Sequence, residues 1–239
     1  MNDSAAPSED LLTLAVDIGG SGTKAIVLDP RGEPAGERIR VPTPRPATPD
    51  AVIGALRELV AQQGEFQRVS VAFPGVVRHG VTISAPNLHE QWRGFELASA
   101  LRDEFGRPVK VANDADVQGY GAITGEGVEL VITLGTGFGS ALFVNGHLVP
   151  NLEMAHHPLR KGRTYEEELG RAALEATGRK RWNKRLQRAI ETLRDLFNFD
   201  QCHIGGGEAK KIAFELPEDV RIVPNILGLL GGIALWRDE

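Results

Sequence analysis

Residues 14–28, which read LAVDIGGSGTKAIVL, and residues 130–144, which read LVITLGTGFGSALFV, follow the same plan. In each stretch, an apolar run typical of a β-strand leads into a glycine-rich turn and then into a second strand-like run. The repeat predicts two lobes of similar design. We expect a cleft between the lobes with one turn on each wall, an arrangement suited to holding a chain of phosphates from both sides.

The first turn carries residue types that suit a phosphoryl donor. Its glycines allow backbone N–H groups to approach an anion closely, and Asp17, just before the turn, is a ligand for Mg²⁺, directly or through water. The glycines alone would equally serve a tight hairpin, but Asp17 favours the phosphate interpretation. The turn leads into a strand and not a helix, so it is not a Walker loop. The donor-binding residues predicted here are Asp17, Gly19, Gly20, Thr23 and Lys24.

The second turn repeats this design, and Thr136 adds a hydroxyl donor. Two such turns in matching strand contexts favour phosphate binding over a purely structural role. A later triplet, residues 205–207, also follows a predicted strand; it is either a simple turn or a flat surface for a group such as adenine. The further donor-binding residues that we predict are Gly135, Thr136, Gly137, Gly139, Gly206 and Gly207.

The stretch Asn113-Asp114-Ala115-Asp116 follows a predicted strand and opens a predicted helix. One interpretation is a helix cap, for which Asn and Asp are common residues. The functional interpretation is that Asn113 orients a hydroxyl group while Asp114 accepts its proton as the oxygen attacks phosphorus. Asp116 is the weaker candidate for the base.

A second group of polar residues suits the mixed donors and acceptors of a sugar. It comprises Asn151, Glu153, His156 and the acidic run 166–168. Each also has an ordinary explanation, as an exposed loop residue or part of a solvated helix face. A metal site on the adjacent histidines 156 and 157 is disfavoured because neighbouring side chains point in different directions.

Composition limits the classes of partner. The 239 residues are 41% hydrophobic and 25% charged, as in ordinary globular proteins, and the net charge is −5, which disfavours nucleic acid and anionic membranes. The basic stretch 179–188 is either a solvated helix face or a cationic path for a long polyanion. Cys202 stands alone, so no internal disulfide is expected and a reducing cytoplasm fits. No apolar stretch reaches membrane-spanning length, and residues 1–10 have the composition of a disordered tail.

Taken together, the first turn, Phe73-Pro74-Gly75-Val76-Val77, the 113–116 stretch and Leu134 to Ser140 resemble the ROK family of sugar kinases. The resemblance spans most of residues 12–236. Three further stretches, TPRPATP at 43–49, PGVVRHG at 74–80 and NGHLVPNLE at 145–153, are similar to the polyphosphate-using branch of that family.

The resemblance implies an α/β fold of two ribonuclease-H-like, actin/hexokinase-like lobes around a cleft. We expect an N-terminal lobe at residues 11–112 and a C-terminal lobe at 113–224, with a helix at 225–239 packing back on the first lobe. Tail residues 1–10 precede them.

The resemblance also implies an activity, the transfer of a phosphoryl group from polyphosphate or ATP to the 6-hydroxyl of glucose, with Mg²⁺ as cofactor and Asp114 as base. Glu166 is chosen from the acidic run by its spacing to Leu169-Gly170, where the family usually has Ala-Ser; a register one residue different would select a neighbour. The sugar-binding residues implied are Gly75, Asn87, Asn113, Glu153, His156 and Glu166.

Many family members hold zinc in the region that follows residue 156, but this chain has no cysteine there, so zinc is not expected. We expect a cytoplasmic homodimer whose partners are a hexose and a phosphoryl donor, with no nucleic acid and no membrane. The alternatives are a kinase for another hexose, such as fructose, mannose or an amino sugar, and a non-catalytic sugar sensor of the same fold.

Overall fold

The structure, a computed structural model, describes residues 11–86, 88–150, 152–224 and 227–236. The predicted tail of residues 1–10 lies outside the described residues, and so do Asn87 and Asn151. The chain divides by packing into two compact units, one of residues 1–117 with 229–239 and one of residues 118–228. The lobe boundaries expected from the sequence fall within a few residues of these limits and stay a prediction.

The first unit is built on a five-stranded sheet. Its strands are β1 (Thr13–Ile18), β2 (Gly22–Leu28), β3 (Ile39–Pro42), β4 (Arg68–Phe73) and, after a short hairpin of β5 (Val77–Arg78) and β6 (Val81–Thr82), β7 (Val109–Asn113). The order in the sheet is β3-β2-β1-β4-β7. The first three strands pair antiparallel, and β4 and β7 continue the sheet in parallel.

Two helices cover this sheet. They are α1 (Pro49–Val60) and α2 (Leu97–Phe105). In α1, Val52, Leu56 and Leu59 are fully buried, and their spacing of three and four residues places them on one face of the helix. Thr48 caps the helix by accepting a hydrogen bond from the backbone N–H of Ala51, and Asp50 lies in the first turn.

The second unit repeats the topology of the first. Its strands are β8 (Val128–Leu134), β9 (Phe138–Val144), β10 (His147–Val149), the hairpin of β11 (Pro158–Arg160) and β12 (Arg163–Thr164), β13 (Gln201–Gly205) and β14 (Val220–Ile222). The five-stranded sheet has the order β10-β9-β8-β13-β14, with three antiparallel strands followed by two parallel ones. The α/β class and the duplicated strand–turn–strand plan are therefore confirmed.

Helix α3 (Asp114–Ala122) follows β7, and the division between the units falls within it. The second unit adds α4 (Tyr165–Leu169), α5 (Arg171–Thr177) and α6 (Arg179–Phe197). Helices α4 and α5 are separated at Gly170. A Cβ atom there would lie 3.0 Å from the Thr136 carbonyl oxygen, so close packing on the second turn bends the chain.

The last described segment returns to the first unit. Helix α7 (Leu227–Leu230) gives way to a 3₁₀ helix, Gly231–Trp236, instead of the continuous helix predicted. The Ser70 hydroxyl donates to the Gly232 carbonyl oxygen at 2.6 Å and accepts from Trp236 Nε1 at 2.8 Å. A Cβ at Gly232 would lie 3.0 Å from that of Ser70, so glycine permits this close contact at the cost of helix propensity.

A buried polar network lies inside the second unit. The Glu129 carboxylate accepts hydrogen bonds from Thr124 and Gly125, and it lies 2.8 Å from His203 Nε2. Arg221 Nε donates to His203 Nδ1, so the histidine proton resides on Nε2. Burial would raise the pKa of Glu129, but its hydrogen bonds outweigh burial and lower it. The pKa of His203 is lowered, chiefly by burial and further by Arg221, against the opposing effect of Glu129.

Within the described residues, no helix is long and apolar enough to cross a membrane.

Candidate active site

The first glycine-rich turn joins β1 to β2 and presents a paired carboxylate and ammonium group. The backbone N–H of Gly19 donates to the Gly22 carbonyl at 3.2 Å, and a Cβ on Gly19 would lie 2.8 Å from that oxygen. Asp17 and Lys24 are opposite one another in the sheet, and Lys24 Nζ donates to Asp17 Oδ2 at 2.8 Å. Both side chains remain partly exposed, at 22% and 28%. The turn thus offers a cation next to a carboxylate at the end of a strand.

Thr23 differs from the other predicted residues of this turn. Its side chain is fully buried, and its hydroxyl has no hydrogen-bond partner among the residues that the structure describes. Side chains alternate along a strand, so Thr23 and Lys24 lie on opposite faces of the sheet. The arrangement gives no support to the predicted contact between Thr23 and a phosphate.

Asp17 fits a particular kind of magnesium site. Lys24 occupies one of its two carboxylate oxygens, and the described part of the chain contains no group of three or more His, Cys, Asp or Glu side chains that could hold a metal. Mg²⁺ commonly uses one or two carboxylates together with waters and substrate phosphates. Asp17 therefore suits an ion that arrives with a phosphoryl donor.

Asn113 and Asp114 take different parts at the junction of β7 and α3. Asn113 Oδ1 accepts hydrogen bonds from the backbone N–H groups of Ala115, at 2.8 Å, and Asp116, at 3.4 Å, which are the bonds of an N-cap. The Asp114 carboxylate also accepts from Ala115, at 2.8 Å, and it is half-buried. Asp116 is 5% exposed. The cap is thus supplied by Asn113, and Asp114 is the more accessible of the two carboxylates.

Gly75 holds Asn113 in position. Asn113 Nδ2 donates to the Gly75 carbonyl oxygen at 3.1 Å. A Cβ atom on Gly75 would lie 1.9 Å from the carbonyl oxygen of Ser84, so glycine is needed for this close approach. The predicted contact of Gly75 with the sugar stays a prediction; in the structure its carbonyl oxygen fixes the side-chain amide of Asn113.

The second turn is also closed by a backbone hydrogen bond, but over two residues where the first turn spans three. The backbone N–H of Gly135 donates to the Gly137 carbonyl at 3.1 Å. The turn is also held from outside, because the Arg171 backbone N–H donates to the Gly135 carbonyl at 3.0 Å. Thr136 is exposed at the tip, where its hydroxyl is available to a ligand.

The glycines at 205–207 lie against this second turn. Gly206 has a φ of +88°, and a Cβ on it would lie 2.2 Å from the Leu134 carbonyl oxygen. The backbone N–H of Glu208 donates to the same oxygen at 2.9 Å. The Glu208 carboxylate pairs with Arg171 at 2.7 Å. Neither of these two charged residues was singled out from the sequence, where isolated Arg and Glu give no signal of a shared role.

The three glutamates of the acidic run have separate environments. Glu167 forms a capping box with Thr164 at the start of α4. Glu168 is 1% exposed and is surrounded by arginine side chains. Glu166 is half-buried, and its Oε2 lies 3.4 Å from the backbone nitrogen of Phe138, just after the second turn. Of the three, Glu166 has the carboxylate next to that turn.

Glu153 interacts electrostatically with both His156 and Glu166. The Ser140 hydroxyl on β9 donates to the Leu152 carbonyl at 2.8 Å and accepts from the Met154 N–H at 3.2 Å, which fixes the loop that bears Glu153. Although Glu153 is exposed, surrounding protein atoms raise the pKa of its carboxyl group. His156 lowers that pKa and Glu166 raises it further. The structure thus brings three of the predicted sugar residues together.

Comparison with known proteins gives a consistent result. The sequence model of the ROK family matches residues 13–157. A polyphosphate glucokinase from Mycobacterium tuberculosis (strain CDC 1551 / Oshkosh) is 35% identical over 232 residues, which cover 92% of this chain and 87% of that protein. The crystal structure of an inorganic polyphosphate/ATP-glucomannokinase from Arthrobacter sp. strain KM superposes with a TM-score of 0.85 at 36% identity, covering 95% of this chain and 99% of that one.

A more distant structure shares the fold. The ROK family glucokinase from Streptomyces griseus was solved in complex with glucose and AMPPNP. It superposes with a TM-score of 0.77 at 21% identity, and the match covers 95% of this chain and 100% of that one. The likeness of these folds confirms the actin/hexokinase-like class expected from the sequence.

Proposed function

This chain belongs to the ROK family, and on that premise we propose that it is a hexose kinase that transfers a phosphoryl group from polyphosphate or ATP to the 6-hydroxyl of glucose. The observation that carries the proposal is that Asn113 and Asp114 have different roles at the start of α3. Asn113 caps the helix through Ala115 and Asp116, and the half-buried Asp114 carboxylate adds only a second bond to the Ala115 N–H, so the cap does not require it.

Asp114 is the general base of the proposed reaction. It accepts the proton of the sugar hydroxyl as the oxygen forms a bond to phosphorus, while the bond from phosphorus to the donor's bridging oxygen breaks and its electron pair leaves with the donor. Asn113, held on the Gly75 carbonyl, fixes the backbone from which Asp114 projects.

Glu153, His156 and Glu166 bind sugar hydroxyl groups. Two carboxylates and an imidazole supply acceptors and a donor, which a ring of hydroxyls requires. Ser140 fixes the loop of Glu153, and the second turn fixes Glu166, so these contacts are held in place before the sugar binds.

The two glycine-rich turns bind the phosphoryl donor through backbone N–H groups, with Lys24 and the Thr136 hydroxyl as side-chain partners. Asp17 would hold Mg²⁺, directly or through water. When bound, the ion supplies positive charge that offsets the charge on the transferring phosphoryl group. Gly206 and Gly207 complete the donor set in the proposal.

The test is a panel of sugars against donors. Glucose, mannose, fructose and glucosamine are each assayed with long-chain polyphosphate and with ATP. The proposal expects turnover of glucose with at least one donor, and it fails if the purified protein binds glucose but phosphorylates none of the sugars. That failure would favour the non-catalytic sensor. Mannose is the favoured second substrate because the Arthrobacter relative is a glucomannokinase.

We further propose that the enzyme is a cytoplasmic homodimer, as expected from the sequence. Sedimentation velocity of the purified chain tests the dimer, and a single species at the monomer mass would exclude it.

A further inference from the structure

A buried carboxylate in the second unit gathers three arginines around it. Glu168 is 1% exposed, and its oxygens lie 3.0 Å from Arg185 Nε, 3.2 Å from Arg160 Nε and 3.4 Å from Arg163 Nε. Arg160 and Arg163 come from the β11–β12 hairpin, and Arg185 comes from α6. One carboxylate neutralises one guanidinium, so this cluster retains excess positive charge. Arg185 Nη1 is buried and has no hydrogen-bond partner within the described residues.

Helix α6 extends this charge along its surface. Arg181, Arg185 and Arg188 are spaced at i, i+4 and i+7, so they form one row that spans about 10 Å of the helix axis. Arg181 and Arg188 are exposed. Within the parts of the chain that the structure describes, no carboxylate forms an ion pair with either of them.

The hairpin arginines meet this row at its middle, because all three ion pairs converge on Glu168. The resulting arginine surface consists of Arg160, Arg163, Arg181, Arg185 and Arg188. Its charge is local, since the whole chain carries a net charge of −5. Guanidinium groups bind phosphate oxygens in a bidentate manner, and groups already held by ion pairs lose less conformational freedom on binding.

We propose that this arginine surface binds a length of an inorganic polyphosphate chain beyond the phosphates that react. The inference rests on the proposed function, because it assigns a second binding region to one of the two proposed donors. Two observations favour this ligand over nucleic acid. Polyphosphate consists of phosphates alone, which guanidinium groups bind directly, and the five residues of the arginine surface include no aromatic side chain on which a base could stack.

The arginine surface and the proposed sugar site share the short helix α4, on different faces. Glu168 and Glu166 both belong to the five-residue helix α4, so the carboxylate that gathers the arginines is two residues from one that contacts the second turn. Chain length is therefore the variable that should reveal the surface. We expect a long donor to reach it, and we expect tripolyphosphate and ATP to be too short.

The variant to test is R181E/R188E, which leaves the buried ion pairs of Glu168 untouched. The matched control is R31E/R102E, which changes the net charge equally at exposed arginines of the first unit. Binding of long-chain polyphosphate is measured by calorimetry, and steady-state rates are measured with long-chain polyphosphate, tripolyphosphate and ATP. We expect R181E/R188E to raise the Kd and KM of the long chain about tenfold at low salt. The KM values for ATP and glucose should not change, and the control should behave as the wild type.

Each other outcome is decisive. The proposal is overturned if both variants lose affinity for long chains equally, or if R181E/R188E loses as much activity with tripolyphosphate. It is also overturned if the wild type does not bind long chains, or if single-stranded RNA displaces polyphosphate at similar concentrations. If the wild type binds long chains through this surface but uses ATP alone as donor, the arginine surface stands and the polyphosphate donor of the proposed function fails. If polyphosphate is a donor and R181E/R188E is unaffected, the donor stands and the surface fails.

Discussion

The carboxylate of Glu166 accepts a hydrogen bond from the backbone N–H of Phe138 at 3.4 Å. This contact joins α4 to the second glycine-rich turn, and it connects a proposed sugar ligand to a proposed donor-binding element. A substitution in the turn should therefore change the affinity for the sugar.

Gly137→Ala tests that connection. A Cβ atom there would lie 2.2 Å from Glu166 Oε2, and because this atom is the end of a flexible side chain, the carboxylate moves and the fold is kept. We expect the KM for glucose to rise about tenfold, the equivalent of one lost hydrogen bond to a charged group, with a small change in Tm. Gly135→Ala is the matched control, since its Cβ would meet nothing within 4 Å. An unchanged KM for glucose in the Gly137 variant would remove Glu166 from the sugar site.

Asp114→Asn and Asn113→Ala should separate catalysis from capping. Loss of the base should lower kcat by about 10²- to 10⁴-fold, while glucose binding and Tm stay close to the wild type because Asn113 still caps α3. Asn113→Ala should cost about 1 kcal/mol of unfolding free energy through the lost cap. Calorimetry of glucose binding and thermal unfolding are measured beside the rates. A near-normal kcat in the Asp114 variant would sink its assignment as the base.

Glucose binding should depend on pH through Glu153. The pKa of this carboxyl is raised by its surroundings and by Glu166, so it takes up a proton at a higher pH than an ordinary glutamate does. If the ionised form accepts a sugar hydroxyl, the Kd for glucose should rise as the pH falls toward that pKa. Glu153→Gln should bind glucose more weakly at neutral pH and show a flatter profile. A wild-type Kd that stays constant down to the onset of unfolding would contradict this role.

Acid should destabilise the second unit through His203 and Glu129. The folded-state pKa of His203 lies below its unfolded value of about 6.5, so the unfolded chain binds more protons, and stability falls as the pH drops below that value. Glu129, whose folded-state pKa is lowered, adds a further loss at lower pH as it becomes protonated. His203→Gln should be less stable at pH 7.5 by about 1 to 3 kcal/mol and should lose less stability between pH 7 and 5. Urea unfolding at several pH values measures both effects, and parallel profiles for the two proteins would exclude His203 as the source.

Local patterns in the sequence predicted the parts of the fold that depend on neighbouring residues. The strand–turn–strand repeats at 14–28 and 130–144 form as expected, because alternation and glycine spacing are local signals. The same alternation places Thr23, which is buried, and Lys24, which is partly exposed, on opposite faces of the sheet, and their contacts with phosphate stay a prediction. The break at Gly170 depends on a contact with Thr136, which no local pattern encodes.

The choice among the acidic residues 166–168 also lay beyond the sequence. Neighbouring positions on a helix differ in direction by about 100°, so a register uncertain by one residue leaves the outcome open. Three long-range features distinguish them in the structure: the capping box of Glu167, the arginines around Glu168 and the turn beside Glu166. The arginines come from a hairpin and a separate helix, and their convergence requires the tertiary fold.

The contacts of Ser70 with Gly232 and Trp236 have a consequence for how the protein is made. The second unit is one continuous stretch of chain, whereas the first is completed by residues that leave the ribosome after all of the second. During synthesis the surface around Ser70 stays uncovered until the C-terminal residues emerge. The second unit is therefore the first whose residues are all available for folding. A stalled or prematurely stopped chain would therefore expose its first unit to proteases and chaperones, although that unit is translated before the second.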